Sequence, residues 1–267
     1  MDSPLFRLDG CVALVTGAAG YLGSAMAAGL LEAGARVALN GRDATRLDTL
    51  RQSLPSGEKA ACVVAGDVTT EEGAADVVQR ARSWGGRLDI LVHSAYEGKK
   101  LSFDDTSIAD FESATRQSAG SLFALTKAAL GDLKISGAAR AGGASVIAIS
   151  SMYGMVSPDP RVYSTTEEIN PLSYGAAKAG LIQATRWLAC NLAPHRIRVN
   201  CVTPGPFPWE SVSATNPQFV QRLCQKVPLG RMGIPRDLAG PAVFLASDAA
   251  AYVTGANLPV DGGWTAW

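Results

Sequence analysis

The chain has 267 residues, 47% of them hydrophobic, and its 24 Lys and Arg residues balance 24 Asp and Glu residues. This length suits one large α/β domain or two small ones, and the composition can bury a sizeable core. A neutral chain without a basic run has neither the electrostatic footprint of a nucleic-acid-binding protein nor a polybasic membrane signal, so we expect neither kind of partner.

Cysteine usage is typical of a reducing compartment. The five cysteines stand far apart without a Cys-x-x-Cys pair, at positions 11, 62, 190, 201 and 224. Together with His93 and His195 they form neither a zinc ligand set nor a disulfide framework. We expect most of them to be buried thiols. Because Met1 to Pro4 lack a basic n-region, we also expect no signal peptide and a cytoplasmic location.

The stretch from Cys11 to Leu31 carries no charge for 21 residues, which is long enough to cross a bilayer. Four glycines interrupt it, and its hydrophobic pattern changes midway from strand-like to helix-like. A buried strand, a turn and a helix therefore explain this stretch better than a membrane span does.

Short apolar runs alternate with helical stretches along the chain. The runs predict buried strands at 11–16, 35–40, 60–66, 88–93, 144–150, 196–202 and 257–260. The helical stretches lie at about 21–33, at 43–54, after a cap at Thr69 or Thr70, at 107–135, around Tyr174 and at 237–247. This alternation predicts a parallel sheet covered on both faces: a doubly wound, Rossmann-like, three-layer α/β fold, with a single domain over 1–267.

Three segments depart from this regular alternation. The helix at 107–135 is long, with a break expected near Gly120 or Gly131. A long connection follows at 152–171. The stretch 204–216 contains three prolines and a glycine, which predicts an irregular path.

The turn after the first strand reads Thr-Gly-Ala-Ala-Gly-Tyr-Leu-Gly over 16–23 and opens the first helix. Glycines at this point permit a tight turn and let backbone amides approach a pyrophosphate, and the helix N-terminus favours the same anion. Close packing of the helix on the strand would also explain the glycines. The candidate nucleotide-binding residues of this turn are Gly17, Gly20, Tyr21, Leu22 and Gly23.

The end of the second strand bears on which dinucleotide would bind. A carboxylate there would hold the ribose 2′-hydroxyl of NAD, but the chain has Asn40, Gly41 and Arg42. The Arg42 guanidinium could pair with a 2′-phosphate, so we expect NADP(H) to be preferred, with NAD(H) possible. A solvated arginine in an enzyme indifferent to the phosphate is the alternative.

Tyr174 and Lys178 stand four residues apart in the sequence Ser-Tyr-Gly-Ala-Ala-Lys-Ala-Gly. In a helix they would share one face, and an ammonium near a phenol lowers the pKa of the phenol. Such a phenol is a better proton donor and acceptor near neutral pH. An ordinary surface pair at helical spacing is the alternative.

Taken in order, these motifs resemble the short-chain dehydrogenase/reductase superfamily, single-domain type, over nearly the whole chain. They are the turn at 16–23, Asp67-Val68, Ser150-Ser151, Tyr174-x-x-x-Lys178, Arg198-Val199-Asn200, Pro204-Gly205, and Gly255 with Asp261-Gly262-Gly263. The segment from Met152 to Tyr163 and the Val-Asp-Gly-Gly-Trp ending look most like gluconate 5-dehydrogenase and other sugar- or polyol-linked members. The resemblance implies a small-molecule substrate and a homo-oligomer, a tetramer or a dimer.

The resemblance also implies a role for each matched residue. Tyr174 would exchange the proton at the substrate oxygen, Lys178 would lower its pKa and hold the nicotinamide ribose, and Ser151 would hydrogen-bond the substrate carbonyl. Ser118 aligns with the helix asparagine that completes the family's proton relay. The matched cofactor-lining residues are Asp67 and Val68 at the adenine, Ser94 and Ala95, and Pro204, Gly205 and Phe207 at the nicotinamide.

Tyr163 is a rival for Tyr174, because its spacing from Ser151 is close to the family's usual interval. Position 167 is Glu rather than Lys, however, and a carboxylate would raise the pKa of the phenol. We therefore favour Tyr174, and the surplus residues 152–171 would form a loop over the substrate pocket. Arg161 in that loop could meet an acidic substrate or stay solvated.

Three features depart from the family pattern. Tyr21 stands where the single-domain pattern usually has glycine, residues 93–96 read His-Ser-Ala-Tyr in place of Asn-Asn-Ala-Gly, and Ser118 replaces asparagine. Because His93 ends a buried strand, we expect a satisfied core histidine rather than a catalytic one.

The segment 206–235 corresponds to a mobile lid that sets substrate choice in the resembling family. Phe207 and Trp209 could line an apolar wall or cap a sugar ring, and ordinary packing of a Pro-rich loop is the alternative. We expect the two C-terminal tryptophans to pack at a subunit contact, namely Trp264 and Trp267.

The sequence therefore predicts an oxidoreductase that moves a hydride between NADP(H) and a small secondary alcohol or ketone of the sugar-acid or polyol type. The first alternative is a 3-oxoacyl-thioester reductase. It predicts a basic patch for a carrier partner, but the basic residues near the lid are only Arg222, Lys226, Arg231 and Arg236. The second alternative is a nucleotide-binding regulatory protein without catalysis. The departures from the family pattern at positions 93 and 118 favour it, whereas the intact Ser-Tyr-Lys set argues against it.

Overall fold

Seven parallel strands form one sheet in the order β3-β2-β1-β4-β5-β6-β7. The computed structural model describes residues 3–55, 57–99 and 101–267, without the side chains at 57, 58, 167, 210 and 213. The strands are β1 (Val12–Thr16), β2 (Arg36–Gly41), β3 (Ala61–Ala65), β4 (Ile90–His93), β5 (Ala144–Ile149), β6 (Ile197–Pro204) and β7 (Asn257–Val260). The predicted doubly wound α/β fold is confirmed, because each apolar run is a strand of this sheet.

Helices cover both faces of the sheet. They are α1 (Tyr21–Glu32), α2 (Ala44–Ser53), α3 (Gly57–Ala60), α4 (Glu71–Gly85), α5 (Ile108–Thr115), α6 (Ser121–Ala139), α7 (Leu172–Leu192), α8 (Glu210–Thr215), α9 (Pro217–Lys226) and α10 (Ala239–Ala246). Short 3₁₀ turns lie at Pro4–Phe6, Met152–Gly154, Pro160–Val162, Thr166–Glu168, Ala193–His195, Pro235–Leu238 and Asp248–Ala250.

Two hydrophobic layers sandwich the sheet, and β1 shows how the sequence divides between them. Ala13 and Val15 point into the layer that contains Met26 of α1, whereas Leu14 points into the layer that contains Leu125 of α6. Alternate side chains of a strand face opposite sides, so a strand buried on both faces must be apolar throughout. This explains the continuous apolar runs in the sequence.

The strand order reverses at β1, which pairs with β2 on one side and with β4 on the other. Thr16 at the end of β1 lies in register with His93 at the end of β4. A crevice opens at such a switch point, outside the carboxyl ends of the strands, and it is where doubly wound folds bind ligands. The glycine turn at 16–23 lies at this crevice.

The break predicted near Gly120 or Gly131 is confirmed at Gly120. A π-helical segment, Arg116–Gly120, separates α5 from α6, and α6 runs through Gly131 without a break. The stretch 204–216 is not irregular throughout, since β6 reaches Pro204 and α8 occupies Glu210–Thr215. The prolines constrain only residues up to 208, which leaves the later residues able to form a helix.

Two burial predictions were wrong. Only Cys11 and Cys201 are buried among the five cysteines, all of which are free. Trp264 is 6% exposed and packs with Met152 inside its own chain, so it is not available at a subunit contact. The prediction for Trp267, which is exposed, stays open. Within the described residues, no helix is both long and apolar enough to span a bilayer.

Candidate active site

The glycine turn brings the backbones of β1, α1 and the β4 loop together. Gly17 has φ +64°, and a Cβ on it would lie 2.9 Å from the Cα of Ala95. A Cβ on Gly23 would lie 2.2 Å from the carbonyl oxygen of Gly17. Gly20 is the N-cap of α1 and offers no side chain to the first backbone N–H groups. A tight turn that leads into a helix N-terminus without a capping side chain suits a pyrophosphate.

Thr16 fixes the loop after β4 against this turn. Its hydroxyl oxygen accepts hydrogen bonds from the backbone N–H groups of Ser94 and Ala95, both at 3.2 Å. The structure therefore places the predicted cofactor-lining residues Ser94 and Ala95 beside Gly17, although Ser94 lies 77 positions after Gly17 in the sequence.

The side chain of Asn40 is buried and hydrogen-bonded, so it is not free to contact a ligand in the crevice. Its amide donates hydrogen bonds to the carbonyl oxygens of Val64 at 2.9 Å and Gly66 at 3.2 Å, and so ties β2 to β3. Arg42 is exposed and forms an ion pair with Glu97, which raises the pKa of Arg42. The sequence pattern did not reveal Glu97 as its partner. An exposed pair of this kind contributes little stability and can be exchanged for another anion.

The adenine candidates differ in accessibility. Asp67 is exposed, and its carboxylate accepts the backbone N–H of Thr69 at 2.9 Å. The side chain of Val68 is buried at 3% exposure in the core, so only its backbone is available to a ligand. On the other side of the crevice, Gly205 approaches Asp261 so closely that a Cβ would lie 2.5 Å from the Cα of Asp261.

Ser151, Tyr174 and Lys178 come together where α7 packs against the end of β5. Ser151 and Tyr174 form a side-chain hydrogen bond. The Lys178 ammonium is buried, donates to the carbonyl oxygen of Ile149 at 2.9 Å and lies 5.8 Å from the centre of the Tyr174 ring. The Ser150 hydroxyl donates to the carbonyl oxygen of Lys178 at 2.8 Å, which fixes α7 on the strand. The predicted trio is thus one spatial group.

The expected direction of the pKa of Tyr174 was wrong. Burial raises this pKa, and the hydrogen bond with Ser151 only partly opposes the rise. Burial also lowers the pKa of Lys178 to about 8. Desolvation disfavours the charged form of each group, and here it outweighs the attraction expected between ammonium and phenolate.

Tyr96 lies at the candidate site, although the sequence motifs did not predict its position there. The centre of its ring lies 5.2 Å from that of Tyr174 in an edge-on contact. The ammonium of Lys178 lies 4.8 Å from the centre of the Tyr96 ring, within the range of a cation–π interaction. Burial raises the pKa of Tyr96 to about 12. The sequence holds one signal for this position, since tyrosine stands here where the family motif has glycine.

His93 is buried but only half satisfied, which corrects the expectation of a satisfied core histidine. Its Nε2 lies 2.7 Å from the Ser121 hydroxyl, whereas its Nδ1 has no partner among the described residues. The buried hydroxyl of Ser118, on the π-helical segment, likewise has no partner among them. Burial and the nearby charge of Lys178 lower the pKa of His93 to about 3.

The neutral state of His93 should make stability depend on pH. A histidine in an unfolded chain titrates at about 6.5, so between pH 6.5 and 3 the unfolded chain binds a proton that the folded chain does not. The free energy of unfolding should therefore fall as pH falls, by up to about 1.4 kcal/mol for each unit.

Urea unfolding at several pH values between 4 and 7 would measure this effect. His93→Gln removes the titrating group, so its stability should decline less steeply than that of the unsubstituted protein. Equal slopes for the two proteins would contradict the assignment of a neutral His93.

A cavity of about 470 Å³ opens beside Ser151 and Tyr174. The loop 152–171 and the segment 206–235 supply most of its wall, including Tyr153, Tyr163, Glu168, Asn170, Phe207, Trp209 and Phe219. Phe207 and Trp209 thus line an apolar wall, and Trp209 also stacks on Tyr21 with ring centres 4.5 Å apart. The cavity therefore touches the candidate catalytic group, and Trp209 links its wall to Tyr21 at the start of α1.

The rival side chains of the loop have other partners. Tyr163 lines the same cavity, but its phenol is hydrogen-bonded to that of Tyr153. The side chain of Glu167, on which the sequence argument against Tyr163 depends, lies outside the described residues. Arg161 is 88% exposed and forms an ion pair with Asp159, so it is a solvated arginine.

A doubly wound sheet with a glycine turn at its switch point and a Ser-Tyr-Lys group beside a cavity is the arrangement of a nicotinamide-dependent oxidoreductase. Comparison with known proteins specifies the class. Residues 17–265 match the family model described as enoyl-(acyl carrier protein) reductase. The chain belongs to the short-chain dehydrogenase/reductase superfamily, as the sequence motifs predicted, and it is an oxidoreductase that acts on CH–OH groups.

Three similar proteins illustrate the range of the family. The rhamnolipid-biosynthesis 3-oxoacyl-[acyl-carrier-protein] reductase of Pseudomonas aeruginosa is 34% identical over 264 residues, 98% of each chain. A short-chain type dehydrogenase/reductase from Mycobacterium marinum is 30% identical with a TM-score of 0.85, over 98% of this chain and 97% of that one. A gluconate 5-dehydrogenase from Burkholderia cenocepacia, in complex with NADP and tartrate, is 28% identical with a TM-score of 0.85 over 98% of both chains.

Proposed function

We propose that this protein transfers a hydride between NADP(H) and a small secondary alcohol or ketone of the sugar-acid or polyol type. The observation that carries the proposal is the hydrogen-bonded pair of Ser151 and Tyr174 at the wall of a ligand-sized cavity, with Lys178 one helical turn away. The gluconate 5-dehydrogenase structure with NADP supports the cofactor and the substrate type.

The residues present fit a dinucleotide, because close backbone contacts at Gly17 and Gly23 hold the turn at the N-terminus of α1, where no side chain caps the first N–H groups. When bound, the nicotinamide supplies or accepts the hydride. Its pyrophosphate would rest on the amides of the turn that includes Gly20, Tyr21 and Leu22. The remaining contacts would come from the backbones of Asn40 and Val68 and from Arg42, Asp67, Ser94, Ala95, Lys178, Pro204, Gly205 and Phe207.

Ser151 and Tyr174 would bind the same substrate oxygen from the wall of the cavity. In the reducing direction Tyr174 donates its phenolic proton to that oxygen, and in the oxidising direction it takes the proton back. Its raised pKa keeps the phenol protonated, which suits the donor role. Lys178 stabilises the phenolate that forms, and Ser118 would complete the proton path to solvent.

Arg42→Ala should weaken NADPH binding by about tenfold or more and NADH binding far less, because a guanidinium recognises the 2′-phosphate as a charge-assisted partner. Glu97→Gln is the matched variant: it removes the competing carboxylate that now holds Arg42, and should strengthen NADPH binding. Fluorescence titration with each dinucleotide measures both effects. Equal losses for NADPH and NADH in Arg42→Ala would remove the proposed preference.

A 3-oxoacyl-thioester reductase is the second candidate, supported by the 34% identical Pseudomonas relative. The segment 206–235 would act as the substrate lid in either case. Arg222 of α9 joins it to the loop 152–171, donating to the carbonyl oxygen of Val162 at 2.6 Å and to the Ser164 hydroxyl at 2.8 Å. This link supports joint closure of lid and loop over the cavity.

The same proposal includes a homo-oligomer, a tetramer or a dimer, in the cytoplasm. Exposed apolar side chains on α6 and α7 support a subunit contact, namely Phe123, Ile135, Leu172 and Trp187. The free cysteines suit a reducing compartment.

A panel of ketones, secondary alcohols and an acetoacetyl thioester, assayed with NADPH and NADH by nicotinamide absorbance, tests the function. Faster turnover of sugar-like ketones or alcohols than of the thioester supports the first candidate. Faster turnover of the thioester supports the second. Cofactor binding without any turnover would favour the regulatory alternative and overturn both.

A further inference from the structure

We infer that the cavity beside Tyr174 selects a carbonyl substrate that carries a protonated amine, which Glu168 recognises. This inference rests on the proposed hydride transfer, and within the proposed substrate class it replaces the sugar acids with compounds that carry an amine. It concerns only the charge of the substrate, so it can be tested apart from the reaction.

The charge of the cavity wall is negative. Among the described residues that line the cavity, Glu168 is the only one with a formal charge. Its side chain is half-buried, and one carboxylate oxygen accepts the backbone N–H of Ser164 at 2.9 Å. This bond holds the carboxylate in place on the loop. A fixed carboxylate at the wall attracts a cation and repels an anion.

The cationic side chains around the cavity do not line it, and the nearest to Tyr174, Lys178, is buried and donates to the carbonyl oxygen of Ile149. Arg161 points to solvent and pairs with Asp159, and Lys226 pairs with the same carboxylate. Arg222 donates to Val162 and Ser164 behind the wall rather than lining it. A carboxylate substrate would therefore meet no cation among the described lining residues to offset the repulsion from Glu168.

Aromatic rings complete a surface suited to a cation. Tyr163 and Phe219 lie against each other with ring centres 5.5 Å apart, and Trp209 lines the same cavity. The face of an aromatic ring carries negative charge density and attracts ammonium groups. A carboxylate together with such rings favours an amine over a neutral hydroxyl, and both over a carboxylate.

The cavity also has the size and the neutral polar groups that a small hydroxylated amine requires. Its volume of about 470 Å³ lies within the range of small-molecule sites. Asn170 and Thr215 line it and can hydrogen-bond hydroxyl groups. An amino sugar or a comparable amino ketone satisfies all of these features, whereas a sugar acid does not.

Matched substrates of similar size test the inference: 1-amino-1-deoxy-D-fructose as the cation, D-fructose as the neutral compound and 5-keto-D-gluconate as the anion. We expect kcat/KM to fall in that order. In Glu168→Gln the kcat/KM for the amine divided by the kcat/KM for the carboxylate should drop by about tenfold or more. A neutral side chain at this position no longer attracts the ammonium or repels the carboxylate. Glu72→Gln, at an exposed glutamate of α4, is the matched control and should leave the ratio unchanged.

Calorimetric titration with benzylammonium and benzoate tests the same preference without turnover. We expect benzylammonium to bind more tightly, and Glu168→Gln to abolish the difference. Tighter benzoate binding, binding of neither compound, or a preference unaltered in Glu168→Gln would overturn the inference. Absence of turnover together with an intact amine preference would overturn the proposed reaction and leave the charge selection standing.

Discussion

Tyr174→Phe should lower kcat by about 10³-fold while dinucleotide affinity stays within about twofold, since loss of general acid–base catalysis has an effect of this size. The substitution removes only the hydroxyl that bonds with Ser151 at the cavity wall. The ring remains to pack against Tyr96 and to keep its place beside Lys178. Turnover by nicotinamide absorbance and affinity by fluorescence titration measure the two quantities.

Tyr163→Phe is the matched control, because it deletes the same atom from another tyrosine of the same cavity. Its phenol bonds with Tyr153, and we expect a loss of less than about tenfold, since no proton transfer depends on it. Near-normal turnover in Tyr174→Phe would refute the proton-transfer role of Tyr174. A comparable loss in both variants would instead indicate that the two phenols act together.

Gly23→Ala should weaken dinucleotide binding by about 100-fold and lower the free energy of unfolding by about 1–3 kcal/mol, the usual cost of overpacking. The added methyl would lie 2.2 Å from the carbonyl oxygen of Gly17, which is backbone and can yield only if the turn opens. An opened turn no longer presents its amides to the pyrophosphate at the N-terminus of α1. NADPH titration and urea unfolding measure the two effects.

Gly131→Ala makes the same chemical change on α6, where an added Cβ would meet nothing within 4 Å. Since alanine favours a helix interior over glycine, we expect this control to gain about 1 kcal/mol of stability and to keep its dinucleotide affinity. Unchanged NADPH binding in Gly23→Ala would show that the turn is a packing feature and not the nucleotide site.

Several features of this protein could be predicted because the signals for them are local. The apolar runs that form the strands, the glycines at 17, 20 and 23, and the spacing of Tyr174 and Lys178 all express short-range geometry. Strand period and helix pitch follow from backbone geometry, so a residue pattern suffices to place them. The family followed from the order of these motifs, and the comparisons confirmed it.

Other features could be read only from the folded chain, because they depend on which distant residues meet and how far water is excluded. Glu97 pairs with Arg42 across 55 positions, and Tyr96 lies over Lys178. The pKa of Tyr174 rises because burial, which no local pattern reveals, outweighs the neighbouring charge. Residue patterns along the chain were thus enough to predict the fold, the family and the candidate reacting group. Packing decided the charge state and the surroundings of that group, since desolvation and long-range contacts exist only once the chain has folded.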